Sequence, residues 1–168
     1  MRPTPCLLAA LLFAFSTHAG ACRMAPPGQL IDADSQVAQA HDVVLAKVVG
    51  WAPAQTGEAP IAFSVVKRLA GATSGDFVIT GTLSDDKHDD ARATHAAPAF
   101  WDRGGGRALN GADCMIHPTF VMGATYLVFR DGPVTRRSYE RIDLDLFGRP
   151  DPTDKWLAYV TDALRNRP

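Results

Sequence analysis

The sequence predicts a mainly β fold, a small β-barrel with one short helix after the N-terminal segment and another at the C-terminus. Short runs rich in β-branched and aromatic residues recur along the chain and are separated by glycines and prolines. Only two short segments show helical spacing, and there is no internal repeat. Five or six short strands with two helices are typical of a small barrel.

The strongest strand signal is the apolar, β-branched run from Asp42 to Trp51. Gly123 marks a turn between two later apolar runs, as glycine allows the backbone conformations that tight turns need. The remaining strands are expected at 61–69, 77–80, 120–121, 125–129 and 139–146.

Two helices are expected outside the barrel. Asp34 or Ser35 can cap a short helix that runs to about Ala40. Residues 152–154 open the closing helix, in which apolar side chains at helical spacing predict that Trp156 lies in the core.

An insertion at about 84–113 has no clear strand or helix signal. It is rich in Asp, Ala, Gly and His, and it contains the triplet 104–106 of three glycines. Long loops of this kind inside compact domains are uncommon and tend to be either functional or disordered.

The first 21 residues are predicted to be a secretory signal peptide. Arg2 gives a positive start, 7–15 form an apolar run, and 19–21 form a small-residue cleavage site. The mature chain is therefore expected to be secreted or periplasmic and to begin at Cys22. Residues 22–168 are then a normal size for one domain.

The charge of this mature chain excludes several partner classes. Of the 17 basic and 18 acidic residues only Arg2 would be removed, which leaves 16 basic and 18 acidic side chains and a formal charge of −2. Without a basic run, nucleic acid and anionic membrane are poor partners. No segment after the signal has about 18 apolar residues in a row, so no transmembrane span is expected.

The cysteines leave three alternatives open. Export permits a disulfide between Cys22 and Cys114, which would close a loop worth roughly 4–5 kcal/mol in the chain-entropy model. Acylation of Cys22 would instead make the chain a lipoprotein, although Ala19 stands where such signals usually carry leucine. Two free thiols are the third alternative. The disulfide is favoured, since a lipid anchor would leave Cys114 alone in an oxidising compartment.

The order of these features resembles a known family. An exported N-terminal cysteine and a proline-containing segment are followed by a short helix and then by the sequences DVVLAKVVG at 42–50, VVKRLAG at 65–71 and GATYLVF at 123–129. This order is similar to that of the netrin-like OB-fold domain of tissue inhibitors of metalloproteinases (TIMP) and of related bacterial secreted proteins. The resemblance covers roughly 22–130.

The resemblance implies an OB-like barrel that acts as a non-catalytic binding module. It implies a disulfide between Cys22 and Cys114, and a free amine and carbonyl of Cys22 that chelate the zinc of a partner metalloprotease. Arg23, Met24 and Ala25 would then occupy the cleft of that protease. Animal inhibitors have a second cysteine where this chain has Met24. The alternative is an envelope-associated protein with the same fold and no inhibitory activity, or a lipoprotein anchored at Cys22.

Other motifs are interpreted as structural. Cys114 and His117 are three residues apart, a spacing that need not bring their side chains together, and no second cysteine is near, so they are interpreted as a half-cystine beside a turn histidine and not as a catalytic pair. The acidic run 85–90, near His95, lacks the spacing of a calcium loop and is interpreted as solvated. Arg136 and Arg137 are likewise assigned to a solvated turn.

No catalytic residue, metal site or cofactor is predicted, so the chain is expected not to be an enzyme. Trp101 is a further candidate for contact with a protein partner, because it lies beside Phe100 in the insertion.

Overall fold

A computed structural model describes residues 25–53, 57–85, 95–108 and 110–167. Six strands form one curled sheet, a half-barrel, which confirms the predicted mainly β class and small barrel. The strands are β1 Val43–Trp51, β2 Ala59–Ala70, β3 Phe77–Ser84, β4 Thr119–Val121, β5 Thr125–Phe129 and β6 Tyr139–Ile142. The helices are α1 Ala33–Gln39, α2 Pro98–Trp101 and α3 Lys155–Arg165, preceded by a 3₁₀ turn at Pro27–Gln29.

The strand order in the sheet is β4-β3-β2-β1-β5-β6. All neighbours are antiparallel except β3 and β4, which are parallel. The pairing of β1 with β2 shifts register at three places, the type of irregularity that bends a strand and increases its twist. These shifts explain how a sheet of this size curls.

The central strands are buried on both faces, and this divides the core in two. Val43 and Leu45 face a cluster that includes α1 and α3, while Val44 and Ala46 face the inside of the curl. Alternate residues of a strand point to opposite faces, so a continuous apolar run can supply both clusters. The inner cluster is built around Phe63, which contacts three other aromatic rings.

Both helices outside the barrel occur where the sequence predicts them, although the first cap differs. The α1 cap is Asp32, whose carboxylate accepts a hydrogen bond from the Ser35 amide at 2.6 Å. The expected cap at Asp34 or Ser35 is therefore wrong by two or three residues. In α3, Asp154 caps the helix and Trp156 is fully buried, as predicted.

The insertion is more ordered in part than its sequence indicates. Strand β3 continues to Ser84, and 95–108 pack against the sheet with the one-turn helix α2 at their centre. Phe100 in that helix is 3% exposed and stacks edge-on against Trp156. Of the predicted acidic run 85–90, residues 86–90 lie outside the described residues.

Arg137 is the largest departure from the expected solvated turn, because its side chain is completely buried. Its guanidinium donates to the carbonyl of Phe100 at 3.0 Å and to that of Ile31 at 3.1 Å, and also to Asp102 O. Burial of a cation is tolerated when its donors are satisfied. Arg137, two residues before β6, thus connects that strand to the N-terminal segment and to the insertion.

Among the described residues, no helix is both long and apolar enough to cross a bilayer.

Candidate functional site

The sequence predicts a site at Cys22 and Cys114, and of these two cysteines the structure describes Cys114. Cys114 lies in a tight loop at residues 110–117, named the Cys114 loop here. Asn110 and Ile116 form an isolated antiparallel bridge, and the Gly111 amide donates to the Met115 carbonyl at 2.8 Å. Cys114 has a φ of 64° and is the one non-glycine residue with positive φ in the described ranges. A side chain in this conformation is uncommon and indicates a backbone fixed by its surroundings.

The N-terminal segment is hydrogen-bonded to this loop. Gln29 donates through Nε2 to the carbonyl of Cys114 at 3.0 Å, and Asn110 donates to the same carbonyl at 3.1 Å. Asn110 also donates to the side-chain oxygen of Gln29. The 3₁₀ turn orients Gln29, because its own amide donates to Pro26 O at 2.9 Å. A side chain and a main-chain carbonyl 85 positions apart thereby set the path of the chain at Gln29.

Two arginines hold the next residues of the same segment. Arg103 donates to the Leu30 carbonyl, and Arg137 donates to the Ile31 carbonyl at 3.1 Å. The left-handed backbone at Gly104 lies against the Leu30 side chain, and a Cβ there would come within 2.5 Å of it. The segment 25–31 is therefore held at its C-terminal end, at Gln29, Leu30 and Ile31.

The predicted partner-binding residues fall mostly before this segment. Cys22, Arg23 and Met24 lie outside the described residues, while Ala25 is half-buried at the first described position. Seven residues separate Cys22 from Gln29, and an extended chain of that length reaches about 23 Å. The disulfide between Cys22 and Cys114 stays a prediction that this distance allows.

His117 lies between two carboxylates and not against a nucleophile. Its Nδ1 is 2.5 Å from Glu58 Oε1, and its Nε2 is 2.9 Å from the Asp113 carboxylate. The hydrogen bonds to Asp113 and Glu58 raise the pKa of His117 above its usual range. Both ring nitrogens are engaged, which agrees with the interpretation of His117 as a structural turn histidine.

A second polar group is buried under the insertion and was not foreseen in the sequence. His95 is 7% exposed, with Nδ1 at 2.7 Å from Asp154 Oδ2 and Nε2 at 3.4 Å from Glu140 Oε2. Burial lowers the pKa of His95, but the hydrogen bonds to the two carboxylates outweigh it and raise the pKa to about 9. Protonated at neutral pH, the ring has no lone pair with which to act as a base.

Glu140 and Arg107 extend this group towards the sheet. The other oxygen of the Glu140 carboxylate accepts the Arg107 amide at 2.7 Å. The Arg107 guanidinium donates to the Thr119 carbonyl and lies 5.1 Å from the centre of the Tyr126 ring. The polar atoms of this group hydrogen-bond to one another. The group therefore attaches the insertion to the sheet and to α3.

Trp101 lies half-buried between the insertion and α3. Its Nε1 donates to the His95 carbonyl at 2.9 Å, and its ring packs edge-on at 5.2 Å from Tyr159 and 5.8 Å from Trp156. Trp101 is thus part of an aromatic cluster within the chain. Its predicted contact with a partner stays a prediction.

No described part of the chain brings three or more His, Cys, Asp or Glu side chains into an arrangement suited to a metal ion. Comparison of the sequence and the structure with protein-family models, curated proteins and solved structures finds no match, so nothing there identifies a netrin-like or TIMP-like domain.

Proposed function

We propose that this chain is an exported, non-catalytic binding module that contacts a protein partner through its N-terminal segment. The observation that carries the proposal is the pair of hydrogen bonds from Gln29 and Asn110 to the Cys114 carbonyl. They hold the N-terminal segment at Gln29 against the Cys114 loop, although neither Gln29 nor Asn110 belongs to a strand or a long helix. A segment ordered before binding loses less entropy on binding.

The sharper form of the proposal is inhibition of a zinc metalloprotease. It rests on the family resemblance and on the place of Cys22 in the sequence, seven positions before the hydrogen-bonded Gln29. A catalytic zinc keeps one open position, and a neutral amine with an adjacent carbonyl is a suitable ligand pair for it. The proposed chemistry therefore requires that the α-amine of Cys22 be free.

An inhibition panel with purified zinc proteases tests this form of the proposal. Inhibition is expected from chain that begins at Cys22, and it should disappear when one alanine is added before Cys22. Replacing Met24 and Ala25 by aspartate should also abolish it, because charged side chains would enter the protease cleft. Trp101→Ala tests the second predicted contact separately. It leaves the α-amine of Cys22 unchanged, so any loss of inhibition would come from Trp101 alone.

The result also distinguishes the alternatives. Equal inhibition by the native and the extended chain would contradict zinc chelation. No inhibition of any protease in the panel would favour an envelope-associated binding protein, and acylated Cys22 would favour a lipoprotein.

A further inference from the structure

A rigid hairpin between β6 and α3, residues 143–151, is named the Phe147 hairpin here. Leu144 and Pro150 form a bridge at its base, and the Asp145 amide donates to Arg149 O at 2.7 Å. The Asp145 carboxylate accepts the amides of Phe147 at 2.8 Å and Arg149 at 2.9 Å. The hairpin is therefore held by its own hydrogen bonds, and within it the Arg149 guanidinium lies 5.0 Å from the centre of the Phe147 ring.

That tip presents two large apolar side chains to solvent. Leu146 is 100% exposed and Phe147 is 80% exposed, the highest values among the exposed large hydrophobic residues of the described chain. Single exposed apolar residues are common, but these two are adjacent and together form one apolar patch, the type of surface that contacts partners. Ordering before contact also lowers the entropic cost of association.

A groove lies next to the hairpin, between α3 and the β1–β2 pair, and Pro150 belongs to both features. Its volume is about 490 Å³. The buried side chains of Leu45 and Leu157 line it together with Pro150 and Pro152. It thus offers apolar surface of the kind that the hairpin tip could cover.

The charges of the two features are opposite. The hairpin carries Asp143, Asp145 and Asp151 against one arginine, a net charge of −2. The groove is lined by Lys67 and Arg165 against one aspartate, a net charge of +1. Neither of these two cations forms an ion pair or side-chain hydrogen bond within the part of the chain that is described. Complementary charges of this kind orient partners and speed association.

The geometry points to a second copy of this chain as the occupant of the groove. The tip of each Phe147 hairpin would enter the groove of the other copy, so that Phe147 covers Leu157 and the hairpin aspartates face Lys67 and Arg165. Because tip and groove adjoin, a two-fold axis satisfies both contacts at once. The inference is independent of the proposed protease contact.

Sedimentation velocity over a wide concentration range tests the dimer, with exported, purified chain. The wild type should dimerise reversibly. The double variant Leu146→Asp, Phe147→Asp should stay monomeric, and Arg165→Glu should weaken dimerisation by about tenfold or more. The matched control Val78→Asp, Val134→Asp removes two exposed apolar residues elsewhere and should dimerise like the wild type.

Several outcomes would overturn the inference. They are a monomeric wild type at every concentration, a dimer that the tip variant retains, and equal loss in the tip and control variants. Photo-crosslinking from benzoylphenylalanine at Phe147 gives a second measurement that leaves folding unchanged. It should join position 147 to 157–165 of a second copy. Crosslinks elsewhere would contradict the groove, and wild-type binding to phosphatidylcholine vesicles without dimerisation would assign the tip to lipid.

Discussion

His95 shows how single residues decide the structure of the insertion. It brings together Glu140 of β6 and Asp154, the cap of α3, at 3.4 Å and 2.7 Å. A charged imidazole that is only 7% exposed interacts strongly with two carboxylates, because the effective dielectric inside a protein is low. The segment that begins at His95 thereby acquires a defined position on the sheet without a strand or a long helix.

The stability contributed by His95 should depend on pH. A folded-state pKa of about 9 against 6.5 in the unfolded chain means that this contribution is complete below pH 6.5 and is lost as the pH rises through about 9. Its size is about 3 kcal/mol at most. Urea unfolding of wild type and His95→Gln at several pH values should show a difference that shrinks over this interval.

The exposed His41 supplies the control for that experiment. His41→Gln should change the free energy of unfolding little, because the side chain of His41 is exposed. A difference between wild type and His95→Gln that stays constant from pH 6.5 to 9 would show that His95 is not charged in the folded chain.

At the scale of elements, the N-terminal segment and the Cys114 loop behave as one unit. Gln29 is the last residue of the 3₁₀ turn, and its side chain donates a hydrogen bond to the Cys114 carbonyl. The loop that contains Cys114 is closed by the bridge between Asn110 and Ile116. Secondary structure this short is stabilised by its contacts and not by its own hydrogen bonds. The proposed binding surface therefore depends on a few polar side chains.

Removing the Gln29 side chain should increase local opening of the N-terminal segment and the Cys114 loop and leave the rest of the described chain unchanged. Gln29→Ala deletes the hydrogen bonds to Cys114 and Asn110, worth about 1–2 kcal/mol together. Hydrogen exchange at the amides of Leu30 and Gly111 should become about tenfold faster. The matched control is Gln39→Ala at the exposed end of α1. Unchanged exchange, or equal acceleration in β5, would contradict the dependence of this unit on Gln29.

The sequence predicts elements where a periodic apolar pattern exists. Strand β5 is five buried residues in a row, and α3 places Trp156 and Val160 on one face. Such patterns follow from the geometry of strands and helices. The caps and strand ends differ by a few residues, as with Asp32, because several neighbouring residues can serve as a cap.

The structure of 95–108, within the insertion, and the His95 group could not be predicted in this way. Arg137 and His95 are polar residues, which are exposed in most proteins, and only the fold shows that distant groups satisfy them. Their partners lie 35 to 106 positions away, at Phe100, Glu140, Asp154 and Ile31 among others. Contacts of that separation leave no local pattern in the sequence.

At the scale of the whole molecule, the sheet separates two hydrophobic clusters that pack against different elements. The inner cluster around Phe63 closes the curl, while the outer cluster around Trp156 attaches the helices and the insertion. Both surfaces proposed to bind partners, the N-terminal segment and the Phe147 hairpin, lie outside these cores. Substitutions in either surface should therefore affect binding more than folding.

The central claim is that the mature chain begins at Cys22 and is held to the Cys114 loop. Intact mass spectrometry of protein exported through its own signal, with and without reductant and alkylation, tests it most directly. The account predicts a chain that starts at Cys22 with a free amine and is two hydrogens lighter than the reduced form. An acylated Cys22, a different first residue or two alkylatable thiols without reductant would contradict it.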